Sequence, residues 1–427
     1  MALQKPIGTR DFGPAETHVR ANVASRMNAV FRRFGYREVQ TPTFEDLALF
    51  TAKSGAGVID ELYNFKDKGD RDLTLRPELT APVMRMYFAE HFNDPKPIKW
   101  FYFGNCFRYD RPQAGRYREF WQFGCEQIGA GTPLAYAELL ALADACMASV
   151  GLRNRDFYVG HVKILKAAVE TFGFDPETRG KLMRAIDKGD RAAIQQLADA
   201  KQGCEAALDR LFLVMDAPTV AAARNAMLDE MKSEFDELDA CLKALAAFGV
   251  ANVKLNLGIA RGLDYYTGIV FEMHCPILGA QKQLLGGGGY DLSGVFGGQS
   301  VPTMGFGLGF DRTIVALEEE AKRDGTELAF GKDKGPAVYF AALSDAALAK
   351  VLPLVAQLRA AGIETDLDLL GRKPGAVAKH ADAVGARFLA IVGDRDLESG
   401  SVQVKELATG NQVAVPVGNL GAHFQNA

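Results

Sequence analysis

Two stretches far apart in the chain space arginine and glycine as a polyphosphate would need them. The first, FRYDRPQAGRYREFWQFGCE at residues 107–126, alternates apolar and polar residues on either side of a turn-rich, arginine-bearing segment. That pattern predicts two antiparallel strands joined by a long hairpin. One sheet face would then carry Arg108, Arg116, Arg118, Gln122 and Glu126 into a common space. The second, GFGLGFDR at residues 305–312, sets Gly305, Gly307 and Gly309 on alternate positions ahead of Arg312 and an apolar helical run through Ile314, Val315 and Leu317. Glycines spaced by two clear one strand face, so a flat group can lie close to the backbone. The arginine suits a phosphate or a purine face. Taken singly, hairpin arginines suit a solvated face and strand glycines suit a bulge. Their joint occurrence, with LGIARGLDYYTGIVFE (residues 257–272) and GGGGYD (residues 286–291) between them, predicts a polyphosphate nucleotide over an antiparallel sheet.

With these residues in view, the sequence resembles the histidyl-tRNA synthetase family, one of the class II aminoacyl-tRNA synthetases. RPQAGRYREF resembles motif 2 of that class in its histidine form, and GFGLGFDR resembles motif 3. ARGLDYYTGIVFE resembles the family's histidine-specific signature, and PIGTRDFGPAE and TLRPELTAPVMR also fit. The likeness runs from about residue 5 to the C-terminus. It implies an α+β catalytic domain, an antiparallel sheet flanked by helices, formed discontinuously by residues 1–165 and 251–325. It further implies a helical insertion at 166–250, a linker at 326–332 and a C-terminal α/β anticodon-binding-like domain at 333–427.

The implied reaction joins L-histidine to ATP, releasing pyrophosphate, and then transfers histidine to the 3′ end of tRNA(His). By the resemblance, Arg108 and Arg261 are catalytic at the α-phosphate. Arg116 and Arg312 hold the outer phosphates and Phe120 stacks on adenine. Glu78, Leu79, Thr80 and Gln122 lie at positions for the amino acid's ammonium and backbone, and Glu126 and Tyr266 at positions for its imidazole. Tyr265 and Tyr290 line the pocket, and Arg261 also reaches the substrate carboxylate. An imidazole and a buried ammonium both demand polar partners, so these residue types suit histidine. Mg²⁺ is expected with ATP, with no protein ligand assigned and no protein metal site. The tract departs from the commoner family pattern at Leu79, where glycine is usual, and at Gly289, where arginine is usual.

Composition bounds the remainder. A chain of 427 residues suggests two or three domains. No run of 18 apolar residues occurs, so no membrane span is expected, and the N-terminus lacks a signal-peptide pattern. The six cysteines show no paired spacing, which suits free thiols in a reducing cytoplasm. The net charge of −4 disfavours a general nucleic-acid binder, and the 166–250 segment holds 11 basic against 15 acidic residues. Tight tRNA contacts must therefore be local, and Arg372 and Lys373, with Lys379 and His380, form the C-terminal candidate patch.

Val19, Val23, Val30, Phe31 and Phe34 repeat at helical spacing over 15–35, and Tyr36 to Phe44 predicts a strand interrupted by Pro42. In the family these form the homodimer interface. Met227, Met231, Phe235, Leu238, Leu242 and Leu245 predict a helix in the insertion. Beyond residue 336, strands alternate with helices, predicting a small, mostly parallel sheet. No GxGxxG opens that region, which disfavours a dinucleotide-binding oxidoreductase. The other alternative is the synthetase-like regulatory subunit of ATP phosphoribosyltransferase. It is disfavoured by the C-terminal region and by the intact arginines.

Overall fold

Ten residues of alternating character, twice over, build the centre of the molecule. The computed structural model describes residues 3–54, 56–111, 116–227, 231–260, 266–328, 330 and 335–425. The chain forms two compact units, Met1–Gly13 with Arg20–Ala329, and Pro14–Val19 with Phe330–Ala427.

The first unit holds an eight-stranded sheet. Its strands are β1 (Arg37–Glu38), β2 (Ile98–Phe107), β3 (Glu119–Ile128), β4 (Asp156–His161), β5 (Val253–Leu255), β6 (Tyr266–His274), β7 (Gln283–Tyr290) and β8 (Thr303–Gly309). They lie in the order β1-β2-β3-β8-β7-β6-β4-β5. The pairs are antiparallel except β1/β2 and β4/β5 at the two edges. The predicted hairpin is β2/β3, paired from Ile98↔Ile128 to Phe107↔Glu119.

Helix α1 (Pro14–Arg33) buries Val23, Met27, Val30 and Phe31. Phe31 stacks on Phe101 at 4.8 Å and on Phe123 at 5.8 Å between ring centroids. Those rings belong to one face of β2/β3, so the apolar periodicity assigns that face to the core and leaves the other open. Truncating a ring buried so completely costs roughly 3–5 kcal/mol, so Phe31→Ala would test this layer. Other helices flank the site: α2 (Thr80–Met86), α3 (Pro133–Ser149), α4 (Lys232–Ala247) and α5 (Phe310–Asp324). Thr132 caps α3 by accepting the Ala135 N–H at 3.3 Å, and Gly325, at φ 64°, closes α5 in the left-handed region that glycine adopts most readily.

Two expectations require correction. Tyr36 to Phe44 is not one strand: β1 ends at Glu38, and Phe44–Asp46 joins a separate three-stranded sheet with Asn64–Lys66 and Asp72–Leu75. Pro42, which has no N–H to give a ladder, lies between them. Nor do Met227 to Leu245 form one helix: Val220–Ala226 stops first, and Met231 takes φ 60° before α4 starts. A methionine in the left-handed region breaks the helix, although both pieces keep the apolar period.

The second unit contains β9 (Val338–Ala342), β10 (Thr365–Leu367), β11 (Phe388–Val392), β12 (Ser401–Glu406) and β13 (Gln412–Pro416), ordered β10-β9-β11-β12-β13. The first three strands of that order are parallel, linked through helices Asp345–Ala360 and Pro374–Ala383, and β12 and β13 close the edge as an antiparallel hairpin.

Candidate active site

The open face of β3 and β8 follows from register. Gly305, Gly307 and Gly309 stand opposite Glu126, Gly124 and Gln122. A Cβ on Gly305 would lie 2.1 Å from the Glu126 carboxylate, and one on Gly307 would lie 2.2 Å from the Gln122 amide. Alternate glycines thus let these polar side chains lie flat over β8. Gly124 does the same for Tyr102, whose ring would be 2.4 Å from an added Cβ.

At one end of this face lies a cleft of about 350 Å³, lined by Arg108, Arg116, Phe120, Gln122, Arg312 and the backbone at Gly307 and Gly309. Arg108 donates to the Pro77 carbonyl at 3.0 Å and lies over the Phe120 ring at 5.1 Å. Arg312 donates to the Gln283 carbonyl at 3.0 Å. Burial, then the neighbouring charges of Arg116 and Arg108, hold its guanidinium below the ordinary arginine range. Three converging cations in a partly buried cleft suit a polyanion. Arg116 is held by both oxygens of Asp110, at 2.8 and 2.9 Å. Arg118 does not join the cluster as expected. Its N–H bonds to the Gly8 carbonyl at 2.9 Å, and its guanidinium turns onto the Tyr109 ring at 4.0 Å.

A second, buried polar cluster centres on Glu126, which is 1% exposed. It accepts from Tyr102 at 2.8 Å and from Tyr290 at 2.5 Å. Burial pushes its carboxyl up to about 7 against the lowering effect of these hydroxyls and of Thr80, and Glu78 raises it further. Thr80 lies 3.3 Å from the Tyr102 hydroxyl. Tyr266 is paired in register with Tyr290 and is buried beside it. Glu78 accepts the N–H groups of Thr80 and Ala81 at 2.7 and 3.1 Å, anchoring the start of α2. Leu79 contributes packing: its side chain is buried with Val83, Tyr102 and Cys106. Arg261 and Tyr265 lie outside the described residues. Arg372 forms an ion pair with Asp368 in the second unit, and Lys373 precedes the helix Pro374–Ala383.

Several residues that hold the site had no local signal. Asp311, 3% exposed, accepts from Arg10 at 2.6 Å, Arg20 at 2.7 Å and the Trp121 N–H at 2.6 Å. Arg10 also stacks on Tyr117 at 3.6 Å. Arg76 is buried and donates to the carbonyls of Asn105 and Thr41 at 2.9 and 2.8 Å, fixing the 74–80 tract against β2. The alternation of β2 could have placed Tyr102 on the open face, but nothing local named Glu126 as its partner. Among the described residues, no cluster of three or more His, Cys, Asp or Glu side chains is placed to hold a metal ion.

The family model described as histidyl-tRNA synthetase matches residues 8–313, and one described as an anticodon binding domain matches residues 337–427. The histidine–tRNA ligase of Archaeoglobus fulgidus is 43% identical over 97% of this chain and 98% of its own length. That of Methanosphaerula palustris is 44% identical over 97% of each. Among solved structures, apo histidyl-tRNA synthetase of S. aureus superposes with a TM-score of 0.77 at 30% identity, covering 99% of this chain and 100% of that one.

Proposed function

The chain belongs to the histidyl-tRNA synthetase family, and we propose how its residues carry that family's reaction. It is a class II aminoacyl-tRNA synthetase, a histidine–tRNA ligase that uses ATP. The observation that supports this residue reading best is the three-arginine cleft sharing one sheet face with the buried Glu126 pocket.

In the first step the histidine carboxylate attacks the α-phosphate and pyrophosphate leaves. In the second, the terminal ribose hydroxyl of tRNA(His) attacks the acyl carbon and AMP leaves. Such transfers depend mainly on alignment and on positive charge where negative charge develops. Arg108, just past the end of β2, holds the α-phosphate, and Arg312 and Arg116 hold the outer phosphates. Arg116 exchanges Asp110 for ATP in doing so. Phe120 stacks on adenine. Arg261 completes the α-phosphate and carboxylate contacts. Glu126 pairs with the imidazole, with Tyr102 and Tyr290 fixing its oxygens, while Tyr265 and Tyr266 line the ring pocket. Glu78, Thr80 and Gln122 receive the ammonium, and Leu79 shapes the wall by packing. Mg²⁺ bound with ATP would supply further neutralisation of the phosphate charge, with no protein ligand assigned to it.

The helices of 166–250 act as an insertion domain near the tRNA acceptor stem, and 333–427, after the 326–332 linker, reads the tRNA through Arg372 and Lys373. The working form is a cytoplasmic homodimer joined near α1 and β1. Sedimentation should give about twice the 46.3 kDa chain mass, and a fully active monomer would remove that element. No described helix is long and apolar enough to cross a membrane. The regulatory-subunit alternative is not favoured by identity above 40% to histidine–tRNA ligases over nearly the whole chain.

The substrate assignment is tested by charging tRNA(His) with each amino acid in turn. Histidine alone should be attached; equal attachment of another amino acid would overturn the assignment of Glu126 to the imidazole. A site built on hydrogen bonds rejects substrates lacking them by about 10⁴ or more.

A further inference from the structure

Behind the sheet, a tyrosine hydroxyl occupies the space where a side chain would stand. Gly289 points away from the open face, opposite to Gly288 and Gly286. A Cβ built on it would lie 1.8 Å from the Tyr136 hydroxyl, and one on Gly268 would lie 2.6 Å from the same oxygen. Tyr136 is 5% exposed on α3, and its hydroxyl stands beside the Ile269 backbone of β6. It is therefore seated against two adjacent strands at once.

The seat coincides with an irregularity. The β7/β6 register shifts between Gly288 and Tyr290: β6 places residues 267–269 opposite Gly289 alone, so the bulge lies on β6 and Tyr290 falls opposite Tyr266. A bulge re-aims the side chain that follows it. Here it sets Tyr266 opposite Tyr290, whose hydroxyl donates to Glu126 at 2.5 Å. On its other side Tyr136 neighbours Glu237 and Cys241 of α4, which packs along α3. Glu237 also faces the buried His161 Nε2 at 3.3 Å.

We propose that Tyr136 is a positioning residue of the histidine pocket: its hydroxyl braces the β6 bulge where it faces Gly289, so that Tyr290, set opposite Tyr266, meets Glu126, and ties that bulge to α4 of the helical insertion. Tyr136 touches no substrate and acts through Gly289 and Tyr290. The proposal rests on the assignment of the Glu126 pocket to histidine. It also accounts for glycine at 289: any side chain there would collide with the brace.

The test is histidine-dependent pyrophosphate exchange by the full-length protein. Tyr136→Phe keeps the ring and its packing and removes only the oxygen. It should raise the KM for histidine roughly fivefold, the size of one lost buried polar contact, while the KM for ATP stays unchanged. Gly289→Ala should raise the histidine KM more. The double variant should fall below the product of the two single effects, because removing the hydroxyl makes room for the methyl group. An unchanged histidine KM in Tyr136→Phe, or an equal rise in the ATP KM, would overturn the proposal. Glu126→Gln in the same assay separates the two levels. If it is impaired for histidine and Tyr136→Phe is not, the brace alone fails; if neither changes histidine binding, the pocket assignment fails with it.

Discussion

Two tyrosine hydroxyls stabilise the Glu126 carboxylate, yet burial outweighs them and lifts its titration to about 7. Such a group contributes stability that is fully present below its unfolded value and is lost as pH rises through about 7, because the folded protein alone holds the proton between the two values. The ligand-free protein should therefore lose stability from this residue between about pH 5 and pH 8. Glu126→Gln, which carries no charge to desolvate, should melt at a higher temperature than the parent at about pH 8, with the difference shrinking toward pH 5. A parent and variant whose melting temperatures differ equally at both pH values would contradict this. Glu126→Ala should cost histidine binding about 2–4 kcal/mol while ATP binding persists, read from the separate KM values. Sequence made Glu126 and Gln122 visible because strand alternation puts them on one face. It left the Tyr102 contact unseen, because cross-strand partners depend on register, which the 107–126 hairpin did not specify.

At the scale of elements, the N-terminal arm, β3 and α5 meet at Asp311. Its carboxylate serves Arg10 and Arg20, which lie 301 and 291 residues away in sequence, and the Trp121 N–H. Removing one member of a buried ion network leaves the others uncompensated, a loss of roughly 3–5 kcal/mol. Asp311→Ala should lower the melting temperature by several degrees and raise the KM for ATP more than that for histidine, since Arg312 is its neighbour and Tyr117 lines the same cleft. Equal loss for both substrates would show a global defect rather than a local anchor. Contacts over such separations leave no periodic trace, so Asp311 read only as part of GFDR. By contrast, the glycine spacing of 305–309 revealed the open face directly, because period two is the strand's own geometry. The break at Met231 was hidden because the apolar period continues across it.

At the scale of the molecule, all arginines assigned to ATP lie in the first unit, whereas Arg372 and Lys373 belong to the second. Their replacement by alanine should leave pyrophosphate exchange intact and raise the KM for tRNA, and the tRNA defect should shrink as salt rises, since phosphate contacts are weakened by ions in any case. Arg372 is already bound to Asp368, so part of its effect should appear as a small loss of domain stability. If exchange falls as steeply as charging, the division of labour between the units is wrong. The alternating strands and helices beyond residue 336 made the second unit legible, whereas any RNA preference was not, because its basic and acidic residues nearly balance.

On the proposed reading, one sheet face brings ATP to histidine without help from tRNA. Exchange of labelled pyrophosphate into ATP by the purified protein, with tRNA absent, measures this directly. Exchange should depend on histidine, fail with other amino acids and fall about 100-fold or more in Arg108→Ala, as when one preorganised donor to a developing charge is lost. Exchange independent of histidine, or undiminished in Arg108→Ala, would contradict the account.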